Sequence, residues 1–316
     1  MKSKASDSSP EARRRNHPII LLTKESYCYP DLLEKDKNAT FSPPPITSQL
    51  LTMITVVASI FVVEEIICWI MRTFLHDYDP LFEIEINRQI ISRMIGANAI
   101  TLLFIATIGW KNRFLLQEFI DHYRSAGPNL NRDDFSRRLY SYHPDCHRLL
   151  LFFVSFQIKN TYDSLVWSDG LIFILHHLAA GLAASLGMQP MGHAYGVFYM
   201  GISEISTVVL SILGLFDEQM GIPGLDLAFP LLRTIFGVTF AILFIVFRAI
   251  IWPVMTKHFC DDIASALKRD GVLETDSMKI SLRLLRSCCL GLTLLQAIWL
   301  VQIIMVFCEE IPKLLA

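Results

Sequence analysis

Two adjacent histidines, His176 and His177, stand in the middle of an apolar run from Ile172 to Ala180, where no water is expected unless neighbouring helices enclose a polar cavity. A neutral imidazole in such a place is a base or a nucleophile: it can take the proton of an amine or attack a thioester. Neighbouring helical residues project about 100° apart, so one ring can line a cavity while the other holds a helix contact. Asp169 precedes His176 by two turns and falls on its stripe, while Gly170, Gly181 and Ser185 share the stripe of His177. That small-residue stripe admits either a substrate or a closely packed helix. Taken by itself, a His-His pair in a span is more often structural than catalytic.

Other polar residues interrupt apolar stretches in the same way. Glu64 and Glu65 fall in the first, Lys159 and Asn160 in the third, Glu204 in the fifth and Arg248 in the sixth. Ionisable groups at bilayer depth are costly and mark either buried pairs or working sites. Glu64 and Glu65 are adjacent, so at most one faces a given cavity. Lys159 is long enough to snorkel to the interface, which leaves Asn160 as the interior hydrogen-bonder, and Arg248, near the end of its stretch, can snorkel or turn inward.

The elements that must position these groups are membrane helices. The chain has 316 residues, 53% of them hydrophobic, more than a soluble core of this size needs. A bilayer core of about 30 Å asks for about 20 apolar residues at 1.5 Å each. Seven stretches meet that length: Thr47 to Leu75, Ile90 to Trp110, Leu149 to Trp167, Gly170 to Met188, His193 to Phe216, Leu227 to Pro253 and Leu284 to Phe307. They lack the period-2 alternation of barrel strands, so their backbone pairing is intrahelical. Short turns holding Gly187, Pro190 and Gly192, then Gly221, Pro223 and Gly224, imply antiparallel neighbours in an all-α bundle.

Charge sets the topology. Two long connections, Lys111 to Arg148 and Met255 to Arg283, are rich in Lys and Arg, and the amino-terminal tail holds Arg13, Arg14 and Arg15, whereas the opposite loops are nearly bare. The positive-inside rule makes that side cytoplasmic. The sequon Asn38-Ala39-Thr40 points the other way, since glycosylation needs a lumenal tail. The 28 basic and 30 acidic residues nearly cancel, which excludes the basic field of a nucleic-acid binder. Seven cysteines without a CxxC pair do not read as a disulfide framework, and Cys288-Cys289, at a predicted boundary, are either buried or S-acylated. His143-Pro-Asp-Cys-His147 has metal-ligand residue types at i and i+4, but Pro144 weakens the helix such spacing assumes and no second ligand cluster exists, so no metal is expected. A receptor reading lacks both a basic triplet after the third span and an Asn-Pro turn in the seventh, and a transporter reading lacks paired broken helices.

The run Trp167-Ser168-Asp169-Gly170-Leu171-Ile172-Phe173-Ile174-Leu175-His176-His177 resembles the signature of the TLC domain, which is shared by ceramide synthases, translocation-associated membrane proteins and several lipid-homeostasis proteins. Ile202-Ser203-Glu204-Ile205-Ser206-Thr207 is similar to the "ELST" segment of the branch outside the ceramide synthases, and Phe247-Arg248-Ala249-Ile250-Ile251-Trp252-Pro253 to the closing "FR…P" motif. Ser92 to Ala99 resembles the opening Ser…His-Ala element, with Asn98 in place of His. The likeness spans Ile90 to Phe307 and rests on the order and spacing of its motifs. It implies a six-helix TLC-like bundle over residues 90–308 around a lipid-sized cavity, with the helix over 46–76 as an appendage; the polar, basic residues 1–45 read as a disordered cytosolic tail.

In ceramide synthases the paired histidines and a following acidic segment are implicated in moving an acyl chain from acyl-coenzyme A to a sphingoid amine. This chain departs from that pattern. Where they read His-Asp-x-x-Asp it has Met200-Gly201-Ile202-Ser203-Glu204, keeping only the last acid, as Glu; their third-span Tyr-Asp is replaced by Lys159-Asn160. The resemblance therefore implies a protein of lipid homeostasis that binds or senses sphingolipid or phospholipid acyl chains in an intramembrane cavity, with an acyl-coenzyme A-dependent N-acyltransferase as the alternative. His176, His177 and Glu204 are the candidate catalytic residues, and Asp169, Asn160, Asn98 and Arg248 the candidate substrate-binding residues. No cofactor is expected, with acyl-coenzyme A only as co-substrate of an enzyme. Membrane lipids are the expected partners, nucleic acid is not, and a homo-oligomer is left open. The endoplasmic reticulum is the expected location and the plasma membrane the alternative.

Overall fold

The computed structural model describes residues 27–28, 44–75, 79–117, 135–189, 191–217, 220–269 and 276–315. The sequon at Asn38 and the arginines of the tail lie outside them. Seven long helices carry the seven apolar stretches: α1 (Ile46–Leu75), α2 (Glu85–Lys111), α4 (Pro144–Val166), α5 (Leu171–Gly187), α6 (His193–Phe216), α7 (Pro230–Leu267) and α8 (Asp276–Leu315), with a short α3 (Phe135–Leu139) before α4. Five of them, α1, α2, α6, α7 and α8, are long and apolar enough to cross a membrane. The chain is a polytopic all-α membrane bundle.

The helices pack as a ring. α4 lies against α5, α5 against α8, α8 against α7, α7 against α6, α6 against α2, and α2 returns to α4. α1 stands outside that ring, in the groove between α2 and α4. The outward faces are lipid-facing in composition: Leu175, Leu178 and Leu182 of α5 and Leu294, Ile298 and Val301 of α8 are all exposed. Inside, small residues let backbones approach. A Cβ at Gly109 of α2 would fall 2.6 Å from the Cα of Gly201 in α6, a spacing only glycine tolerates.

Several helix ends extend beyond the apolar stretches. α7 does not stop at Pro253 but continues to Leu267. A proline inside a helix lacks the N–H for its i−4 partner and its ring crowds that carbonyl. Here the residues before it, Ile245–Ile251, form a wider π-helical turn, so Pro253 falls at the start of a new α-helical segment. α8 begins at Asp276, two turns before the apolar run, because its polar first residues continue the helix beyond the span. Two further π segments occur: Met71–Leu75 ends α1, and Ser92–Ile100 lies inside α2, after its first two turns.

At the basic end of the bundle, β1 (Tyr27–Cys28) pairs antiparallel with β2 (Ser141–Tyr142). This sets Tyr27–Cys28 beside the residues that lead into α4. There α3 is pinned to α7 by Arg138, which meets Asp262 through Nε at 2.9 Å and Nη2 at 2.7 Å, while Tyr195 donates to the same carboxylate at 2.6 Å. Burial weakens the charged form of Arg138, but Asp262 outweighs it and the guanidinium is held more firmly protonated than usual. The opposite end is not bare of bases: Arg72 and Arg88 both bridge Glu85.

Candidate functional site

α5 carries the histidine pair into the bundle between α4 and α8, and the two rings find different company. His177 Nδ1 lies 2.8 Å from Gln157 Oε1 of α4. An amide oxygen only accepts, so Nδ1 bears the proton and Nε2 keeps its lone pair. His176 Nδ1 is buried with no hydrogen-bond partner; its ring meets Trp299 of α8 edge-on at 5.1 Å and His177 at 5.3 Å between centroids. Arg248 is near enough for its charge to act on His176, and Asp169 and Arg93 act likewise on His177.

Glu204 and Arg248 form one unit. Arg248 Nη2 donates to Glu204 Oε1 at 2.9 Å and to Thr207 Oγ1 at 2.8 Å, and its Nε donates to Ser206 Oγ at 3.1 Å. The guanidinium also lies over the Trp252 ring at 5.3 Å. Arg248 therefore does not snorkel: its π segment turns it inward, where it is only 5% exposed.

Asp169 is not on the His176 stripe. The chain turns between α4 and α5 through Ser168 (φ 57°) and Gly170 (φ 105°), so Asp169 precedes the helix rather than belonging to it. In that turn it accepts from Ser164 Oγ at 2.9 Å, and both its oxygens accept from Arg93 of α2. Arg93 in turn sits over Trp167 at 5.3 Å.

The assignment of Lys159 and Asn160 is reversed. Lys159, not Asn160, is the interior group: it is 1% exposed and donates to Asp163 at 2.6 and 2.7 Å, with Glu64 Oε2 of α1 at 2.7 Å. Carboxylates on both sides supply what the interface would have, so the chain has no reason to reach for water. Asn160 is half-buried and makes no hydrogen bond among the described residues. Glu64 faces inward while Glu65 is exposed, as their adjacency requires. Nor is a Tyr-Asp pair missing from this helix, since Tyr162-Asp163 stands one turn beyond Lys159. Asn98, on the π segment of α2, buries its Oδ1 without a partner.

Arg93, Asp163 and Gln157 were not singled out from the sequence, although Arg93 and Gln157 hold the predicted site residues Asp169 and His177 in place and Asp163 holds Lys159. Asp163 carried a readable signal, four residues after Lys159 on one helix face. Gln157 and Arg93 carried none, because their partners, His177 and Asp169, come from elsewhere in the fold.

Against the expectation of a lipid-sized cavity, one cavity of about 40 Å³ among the described residues lies nearer the basic end, lined by residues that include Ala183, Tyr199, Trp252, Cys289 and Leu292, and none of the candidate residues lines it. It has room for about two or three waters. Cys289, 5% exposed on its wall, is buried.

His143 and His147 do not share a helix face, because α4 starts at Pro144 and leaves His143 before it. His143 instead gives its backbone N–H to His193 Nδ1 at 3.0 Å, and His147 and His193, both 0% exposed, lie 6.2 Å apart between ring centroids. Burial moves the His143 imidazole below its ordinary value. Among the described residues no group of three or more His, Cys, Asp or Glu is arranged to hold a metal ion.

Residues 97–305 match the family model of the TLC domain. No curated protein and no solved structure matches the chain.

Proposed function

From the premise that the chain belongs to the TLC-domain family, as the match over residues 97–305 shows, we propose that it serves lipid homeostasis by holding a lipid inside its helix ring beside His176 and His177. The family is one of membrane proteins linked to lipid metabolism and homeostasis. Binding is favoured over group transfer by one observation. The carboxylates near the pair are tied to bases, Glu204 to Arg248, Asp169 to Arg93, and Glu64 and Asp163 to Lys159, so neither imidazole has an acid to orient it. The ring interior nevertheless keeps polar atoms without partners, Asn98 Oδ1 and His176 Nδ1, which a polar ligand would satisfy.

A second reading rests on the Gln157–His177 hydrogen bond, which fixes the tautomer with Nε2 as a base, the form an N-acyltransferase needs. One experiment separates the two. Membranes with wild type, His176→Ala or His177→Ala are given acyl-coenzyme A and a long-chain amine, and the lipid composition of expressing cells is measured alongside. A shift in cellular lipid composition that wild type causes and the variants do not, with no amide product in vitro, is the expected result. Amide formed by wild type and lost in either variant would make the protein an acyltransferase. The endoplasmic reticulum is the membrane in which we place this activity.

A further inference from the structure

Gln296 is a buried polar residue that the arrangement described so far does not explain. It lies on α8 with 2% of its surface exposed, and both its Nε2 and its Oε1 are buried with no hydrogen-bond partner. An amide left unpaired in an apolar interior costs about 1–3 kcal/mol for each unmade bond, and among the described residues the chain's own groups do not make these bonds. Its place on the helix says what it faces. Leu285, Cys289 and Leu292, which precede it at helical spacing, line the cavity of about 40 Å³, and Trp299, which follows it by three residues, touches His176. On α5 the cavity is lined by Ala183 and Gly187, with His176 two turns before Ala183. Gln296 thus lies between the cavity and the histidine pair, on the inner face of a helix that packs against α5 and α7.

We propose that Gln296 is the recognition residue for the head group of a single-chain lipid, a head that carries a hydrogen-bond donor and an acceptor side by side: an amide or an un-ionised carboxyl. The inference rests on the reading of the ring interior as a lipid site and adds the residue and head-group chemistry. An amide side chain offers one acceptor and two donors in a plane, and a planar amide or carboxyl satisfies Nε2 and Oε1 together. An ester supplies acceptors only and would leave Oε1 unpaired. A phosphate head brings charge and bulk to a wall made of Leu292, Ala183 and Cys289. His176 Nδ1, also unpartnered, is the second polar atom on the path from the cavity. Leu182 of α5 and Leu294 of α8 face the bilayer, so the proposed alkyl chain would leave the head group between these two helices.

The test uses the full chain purified in detergent, wild type and Gln296→Leu, with radiolabelled oleamide, oleic acid and methyl oleate as probes. Wild type should retain oleamide or oleic acid about tenfold more tightly than methyl oleate, the factor that one satisfied buried bond of about 1.4 kcal/mol gives. Which of the two binds better identifies the head group. Gln296→Leu should bind all three alike while melting no lower than wild type, since removing an unpaired amide does not weaken the fold. Gln296→Asn, which keeps the amide but shortens its reach, should give intermediate discrimination. Equal discrimination by wild type and Gln296→Leu overturns the proposal while leaving the lipid site at the histidines standing. Wild type that binds methyl oleate as well as the others also overturns it, with water as the occupant of Gln296. Wild type that binds none of the probes, and whose expression does not change cellular lipids, removes both readings.

Discussion

Glu64 Oε2 of α1 sits 2.7 Å from Lys159 Nζ of α4, an ion pair whose cation is 1% exposed and which fastens the outer helix to the six-helix ring. The same ammonium is held by Asp163 and lies 4.6 Å above the Phe61 ring. It is thus the shared partner of two carboxylates from two helices.

Removing that cation leaves two acids facing each other. Lys159→Met is expected to destabilise the folded protein by about 3–5 kcal/mol, the usual cost of breaking a buried pair from one side. Glu64→Gln should cost less, because Asp163 still pairs the lysine, and Lys159→Met with Glu64→Gln and Asp163→Asn together should recover much of the loss. Thermal melting of the detergent-purified variants checks this. A triple variant as unstable as Lys159→Met would mean that the charges are not what the site depends on.

Little of this network is legible in the sequence. The spans are, because length and apolar run decide them, and so are His176, His177, Glu204 and Arg248, because charge and imidazole stand out against an apolar background. Lys159 reads as a snorkelling residue only while its depth and neighbours are unknown; Glu64 lies 95 residues earlier and its pairing is a fact of tertiary packing. Asp169 reads as helical because a two-turn spacing is suggestive, yet Ser168 and Gly170 adopt positive φ and put it in the turn. Gln296 is uncharged and sits in an apolar helix, so only its lack of partners in the folded chain draws the eye.

The α2–α6 crossing gives a second prediction. Gly109→Ala would place a methyl 2.6 Å from Gly201 Cα, and Gly201→Ala one 2.5 Å from the Val197 carbonyl oxygen, so backbones must separate in either case. Each should cost at least about 1–3 kcal/mol. Gly237, in α7, has nothing within 4 Å of its Cβ position, and Gly237→Ala should be neutral or stabilise by about 0.5–1 kcal/mol. Melting temperatures of the three variants decide the matter, and a fall for Gly237→Ala as large as for Gly109→Ala would show the crossing to be unremarkable.

Acidification should loosen the basic end of the bundle through His143. Burial depresses its folded-state value below the ordinary 6.5, so the folded form stays neutral where the unfolded chain takes up a proton. Its contribution to stability is whole above about pH 6.5 and is lost as the pH falls from there through the depressed folded value, with a slope of at most about 1.4 kcal/mol per pH unit. Melting measured between pH 7.5 and 5.5 should fall less steeply in His143→Gln than in wild type. Identical slopes would remove His143 from the account.

Arg248 provides the sharpest test of whether the interior depends on geometry or merely on charge. Its guanidinium addresses Glu204, Thr207 and Ser206 at once, through two different nitrogens, and covers Trp252 with its face. A lysine carries the same charge but offers a single point of attachment and no planar face. Arg248→Lys should therefore keep the ion pair to Glu204 yet lose the serine or threonine bonds, at about 0.5–1.5 kcal/mol for each neutral bond lost. Arg248→Met strands the Glu204 carboxylate and should cost about 3–5 kcal/mol. Adding Glu204→Gln should rescue Arg248→Met but not Arg248→Lys, since in the lysine variant the carboxylate is already paired. Melting curves of these four proteins, set against wild type, read out the pattern. If Arg248→Lys melts with wild type, a charge alone suffices at that position, and the π-helical turn that aims the guanidinium has no part in building the site.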